Sequence, residues 1–173
     1  MRRIRQAGFS LLEVVIAVGV FALAVTAVLA LLPMLTRQAA AAADTLAAQQ
    51  FPDALRVELQ RLARADFDAL AAAIPVMTAP LENGLPFVAT RDGARLHSSG
   101  HLPPPVDARI PDAEQYFAIE VWRFNQPPLA YDPGAAVLPL YVRVSGPCRI
   151  PGSTAPTALA DRHQVTFTLA LNR

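Results

Sequence analysis

The sequence contains no lysine: its fifteen basic residues are all arginine, set against fourteen acids and three histidines. It contains one cysteine, Cys148, so neither an internal disulfide nor a paired-cysteine zinc site can form. Aromatic residues make up 7% of the chain and charged residues 17%. A net charge of +1, with no dense basic stripe, excludes the electrostatic footprint of a nucleic-acid binder. Also missing are a Gly-x-Ser-x-Gly elbow, a phosphate-cradling glycine loop and a His-Glu-x-x-His helix, the compact motifs of hydrolase, nucleotide and zinc chemistry. The lysine-free composition, rich in Ala and Pro, reads as a compositional habit and carries no mechanism.

What is present is one long apolar run. From Phe9 to about Met34 the chain carries a single charge, Glu13, and only Ser10, Gly19, Thr26 and Pro33 otherwise interrupt it. About 20 apolar residues cross a bilayer core, so the run suffices for one span, and the remaining length supports one modest domain. Arg2, Arg3 and Arg5 precede it, whereas Arg37 is the only charge on its far side before Asp44. That bias places the N-terminus in the cytoplasm and the bulk of the chain outside. Without the leader arginines, 12 Arg face 14 acids, a formal −2. A carboxylate near the centre of a membrane helix costs about 2.5 to 3.5 kcal/mol on insertion scales, so Glu13 implies a partner.

Two processing readings compete. A secretory signal would be cut after Ala22-Leu23-Ala24 or Val28-Leu29-Ala30 and release a soluble domain. Glu13 and the continuation of the apolar run past both sites speak against it. In the other reading the cut precedes the run. Gly8-Phe9-Ser10-Leu11-Leu12-Glu13-Val14-Val15-Ile16-Ala17 resembles the processing motif of type IV prepilins and type II secretion pseudopilins, a resemblance confined to about the first 40 residues. It implies cleavage after Gly8 by a prepilin peptidase, N-methylation of the new terminus at Phe9, and use of Glu13 in assembly. Glu13 falls one helical turn from that new amine, and the amine of a neighbouring subunit could neutralise it. Leu11 to Ala24 looks most like minor pseudopilins of the I type and related minor pilins.

Helix propensity continues beyond the membrane to Gln50, about 60 Å in all, with Pro33 expected to kink the rod. Phe51-Pro52-Asp53 restarts a helix over about 52–73, with Leu55, Leu59, Leu62 and Leu70 on its apolar side. Residues 74–115 are loop-rich, with short strands expected around 85–90 and 94–97 and a turn at Arg91-Asp92-Gly93. Alternating segments at about 116–124, 137–145 and 164–171 predict antiparallel strands. The expected fold is therefore α+β and pilin-like. It comprises a leader (1–8), a transmembrane and stalk helix (9–50), and a periplasmic domain of sheet packed on helix (51–173). Trp122 falls on the sheet face opposite Ile119 and serves either a subunit interface or a small second core beneath Gln126–Ala136.

His97 and His101 are read as exposed loop residues, and no metal site, cofactor or enzymatic activity is expected. The absence of a cysteine pair leaves the order of the Pro147–Thr157 loop open. The expected partners are a prepilin peptidase, other pilin or pseudopilin subunits, an inner-membrane assembly platform and the lipid bilayer, with no nucleic acid. The functional expectation is a minor pilin or minor pseudopilin in the inner membrane that enters a filament. The alternative is a membrane-tethered binding or adhesion module that never does.

Overall fold

The structure is a computed structural model and describes residues 10–149 and 155–173. The chain divides into two compact units, Met1–Ala41 and Ala42–Arg173. Helix α1, Leu11–Ala48, supplies the described part of the first unit apart from Ser10, and its last turns belong to the second. Pro33 lies within α1, and the helix continues through it. The helix stops two residues before the expected Gln50. Pro52 has no N–H to extend the ladder and its ring opposes a carbonyl one turn back, so Gln49 and Gln50 form a turn and a new helix starts at Phe51.

The single helix expected over 52–73 is two: α2, Phe51–Ala63, and α3, Phe67–Ala73. Asp66 is the reason for the break. Extended at φ −166°, it caps α3 by accepting the Ala69 N–H at 2.9 Å, which draws the backbone out of the helix. Apolar periodicity runs across the gap because both helices face one core.

Five antiparallel strands follow: β1 Leu85–Ala89, β2 Leu96–Ser98, β3 Phe117–Arg123, β4 Val137–Gly146 and β5 His163–Asn172. They form one sheet of order β2-β1-β3-β4-β5. The Arg91–Gly93 turn joins β1 to β2: Thr90 N–H donates to the Arg95 carbonyl, and Gly93 takes φ +69°, a conformation that favours glycine. Pro139 sits inside β4, yet the β3–β4 register begins only at Leu140, so its missing N–H breaks no bond to β3.

On one face Phe117, Ile119, Val121, Leu140, Val142, Val144, Leu169 and Leu171 are buried against Phe51, Leu55, Leu59, Leu62, Phe67 and Leu70 of α2 and α3. The fold class is thus α+β, an antiparallel sheet packed on helix. Trp122, on the other face, is fully buried, which excludes it from a surface interface. Glu82 and Gly84 lie against it, while Tyr131 of the Gln126–Ala136 loop packs on the main core. Trp122 Nε1–H donates to the Glu82 carbonyl at 3.0 Å, and the Arg143 guanidinium stacks over its ring at 5.0 Å. The ends of the Cys148 loop are held without a disulfide: Thr157 N–H donates to the Cys148 carbonyl at 2.8 Å, and Arg162 grips the Thr157 carbonyl.

Candidate functional site

The N-terminal turn of α1 is built around Ser10 and Glu13. Glu13 N–H donates to Ser10 Oγ at 3.2 Å, while Ser10 N–H donates back to Glu13 Oε2 at 3.4 Å. This is a reciprocal capping box, in which each side chain accepts from a backbone N–H of the first helical turn, the Glu13 N–H being shared with the Ser10 carbonyl at 3.0 Å. The acid also sits where the helix dipole favours negative charge. Its 3.4 Å contact is long, so the carboxylate keeps most of its capacity to accept a stronger, charged donor. Among the described residues no basic side chain is paired with Glu13. Gly8 and Phe9 lie outside the described residues.

The rest of the first unit has an unusual surface. Large apolar side chains from Leu11 to Leu35 stand exposed, Leu11 at 84% and Leu23 at 74%. A stripe that long cannot face water in a stable monomer; it needs lipid or another protein around it. The helix is long and apolar enough to cross a membrane. Its few hydroxyls satisfy themselves: Thr26 Oγ1 donates to the Ala22 carbonyl at 2.8 Å and Thr36 Oγ1 to the Pro33 carbonyl at 3.0 Å. Neither leaves a donor unpaired in hydrocarbon. Glu13 is thus the one acid on an otherwise apolar surface.

The second unit offers little chemistry. His97 is not an exposed loop residue: it is buried in β2, with Nε2 accepting the Ile110 N–H at 2.9 Å. Its proton is therefore on Nδ1, which donates to the Ser98 carbonyl at 2.9 Å. Both nitrogens are committed to holding the Ser99–Ile110 strap. Among the described residues no group of three His, Cys, Asp or Glu could hold a metal ion. Cys148 is half-buried, and burial pushes its thiol above the ordinary range, away from the reactive thiolate.

Residues 3–29 match the family model described as the prokaryotic N-terminal methylation motif. The chain carries the prepilin-type signature. In a prepilin this signature implies processing by a prepilin peptidase and assembly with other pilin subunits, and the apolar α1 fits a single-pass membrane anchor. No curated protein and no solved structure matches the chain. The prepilin segment also holds a feature that the sequence reading passed over: Ser10-Leu11-Leu12-Glu13 is itself the Ser-x-x-Glu capping signature. That signal was legible, and it explains why α1 begins where it does.

Proposed function

We propose that the chain is a minor pilin or minor pseudopilin subunit, a structural protein and not an enzyme, that enters a filament through its N-terminal helix. The observation that carries this reading is the prepilin signature placed on a helix whose exposed surface from Leu11 to Leu35 is apolar except for Glu13 and Thr26. Residues 1–8 are the leader, removed after Gly8; Phe9 becomes the methylated N-terminus; residues 9–50 anchor the subunit in the inner membrane, and 51–173 form its periplasmic domain. Arg2, Arg3 and Arg5 keep the leader in the cytoplasm. The prepilin peptidase and the inner-membrane assembly platform are its successive partners.

Cleavage creates a positive amine on Phe9, and the loosely held carboxylate of Glu13 can accept it. In this reading, assembly exchanges the intrahelical Ser10 N–H for the charged amine of an adjacent subunit. The exchange replaces a long bond from a neutral N–H with an ion pair, adding the attraction between opposite charges to the hydrogen bond, and it sets the axial register between subunits. Pro33 loosens the helix by one missing backbone bond, which lets the stalk bend as subunits pack.

Mass measurement of the membrane-extracted chain, with and without an active prepilin peptidase, tests the reading. The expected result is loss of Met1–Gly8 only when the peptidase is active, and no loss in Gly8→Ala. Glu13→Ala should be cleaved normally and fail to enter the filament. An intact leader beside an active peptidase, or a start beyond the apolar run, would overturn it.

A further inference from the structure

The two edges of the sheet are built differently. At one edge β2 is only three residues long and leads directly into the strap that contains Pro103, Pro104 and Pro105, fastened by His97 and the buried Ile110. Short strands and prolines are the usual means of keeping an edge from pairing. At the other edge β5 runs for ten residues, His163–Asn172, with no proline, no glycine, and no Asp, Glu, Lys or Arg.

The direction of its backbone groups follows from the register. Val137 pairs with Asn172, and one step further Arg173 N–H donates to the Ala136 carbonyl at 2.9 Å. Antiparallel pairs alternate between bonded and non-bonded, so the odd-numbered residues of β5 point their N–H and C=O groups at β4. Gln164, Thr166, Thr168, Ala170 and Asn172 point theirs away. All five are exposed, and among the described residues no backbone group of theirs has a protein partner. On the helix-facing side of this edge Val165 and Phe167 are half-buried, incompletely covered, whereas Leu169 and Leu171 are buried.

We propose that the β5 edge receives an extended segment of a neighbouring filament subunit as a sixth strand. The inference rests on the filament reading above. An open filament is generated by heterologous contacts, whereas a two-fold pair of β5 strands closes on itself, so where the neighbour is a copy of this chain the added segment is not its β5. The edge specifies its chemistry. Backbone groups bond to those of Gln164, Thr166, Thr168, Ala170 and Asn172; alternate side chains are apolar and cover Val165 and Phe167. The opposite side chains are uncharged, because the row they join is neutral. This is recognition by strand addition, in which main-chain bonds give affinity and alternate side chains give selectivity.

The test uses the full chain in cells that make the whole filament system, with a benzophenone photocrosslinker placed at Ala170 and, as a control, at the exposed Thr78. A crosslink from position 170 and not from 78, to a second filament subunit, is expected. Thr168→Pro should abolish it: the Thr168 N–H faces outward, so proline there removes no bond to β4. Thr166→Lys, which adds a charge to the edge without touching the backbone, should reduce the crosslink at least tenfold. Leader removal and filament entry are scored in the same cells. A chain that is cleaved and incorporated yet gives no adduct from position 170 overturns the strand addition and leaves the filament reading standing. So does an adduct whose crosslinked peptide is residues 163–172 of a second copy of the chain, which would mean β5 pairing with itself. A chain that is never incorporated overturns both.

Discussion

The phenolic oxygen of Tyr116 lies 3.1 Å from each carboxylate oxygen of Asp44. Asp44 belongs to the last turns of α1 and is 7% exposed; Tyr116 immediately precedes β3. One hydrogen bond thus ties the end of the long helix to the sheet of the same unit. Burial, then the negative charge of Asp44, raises the phenol above its ordinary range, against the opposing charge of Arg91, whose guanidinium lies 5.1 Å from the ring.

Removing either partner should loosen this tie. Tyr116→Phe leaves a buried carboxylate without its donor, and a loss of about 1 to 3 kcal/mol is expected, read as a lower urea midpoint at unchanged slope. Asp44→Asn should lose less and bring the Tyr116 phenol back toward an ordinary tyrosine in an ultraviolet titration. The sign of the pH effect follows from the raised phenol. The folded state holds the proton more tightly, so the contribution is whole below the unfolded tyrosine value of about 10 and is lost as pH rises through the higher folded value.

Gly84 is fixed by contact. A Cβ there would meet Trp122 Cε2 at 2.8 Å and the Val121 backbone nitrogen at 2.9 Å. The backbone atom cannot retreat, so Gly84→Ala should destabilise the second unit by about 1 to 3 kcal/mol. Tryptophan emission, which reports Trp122 alone because it is the only tryptophan, should shift to the red as the indole is displaced.

The capping box predicts an effect at the start of α1. Ser10→Ala removes the side-chain acceptor of the Glu13 N–H and leaves only its bond to the Ser10 carbonyl at 3.0 Å, and loss of such a cap costs about 0.5 to 2 kcal/mol. Amide exchange at Leu12 and Glu13 in detergent micelles should accelerate roughly tenfold, with amides beyond Val18 unaffected. If cleavage after Gly8 continues at its normal rate, the cap serves the helix rather than the peptidase.

His97→Ala should free the strap. It leaves the Ile110 N–H and the Ser98 carbonyl without their side-chain partner, at a cost of about 1 to 3 kcal/mol for a buried group. Limited trypsin digestion should then cut after Arg109 well before the core unfolds. Equal digestion of the variant and the parent chain would show that other contacts hold the strap.

How much of this was legible depends on the range of the interactions involved. The apolar run, Glu13 within it and the prepilin signature are contiguous, and composition with spacing suffices to read them. The three alternating strands show because inward residues recur at every second position whatever their neighbours do. The break between α2 and α3 was hidden because Leu62 and Phe67 face the same core, and the apolar pattern passes over the Asp66 cap. His97 was misplaced for a related reason: a histidine among glycines and prolines carries no sign of burial until the strap has folded over it.

The sequence by itself determined that this chain has one membrane-competent helix, where that helix starts, and that a single acid lies near its beginning, because each is a matter of residues within a turn of one another. Only the tertiary structure decided that Trp122 is buried under Glu82, that Asp44 meets Tyr116, and that, among the described residues, β2 is shielded while β5 is open. Those outcomes depend on which strand stands beside which, and strand order is set by packing between segments tens of residues apart.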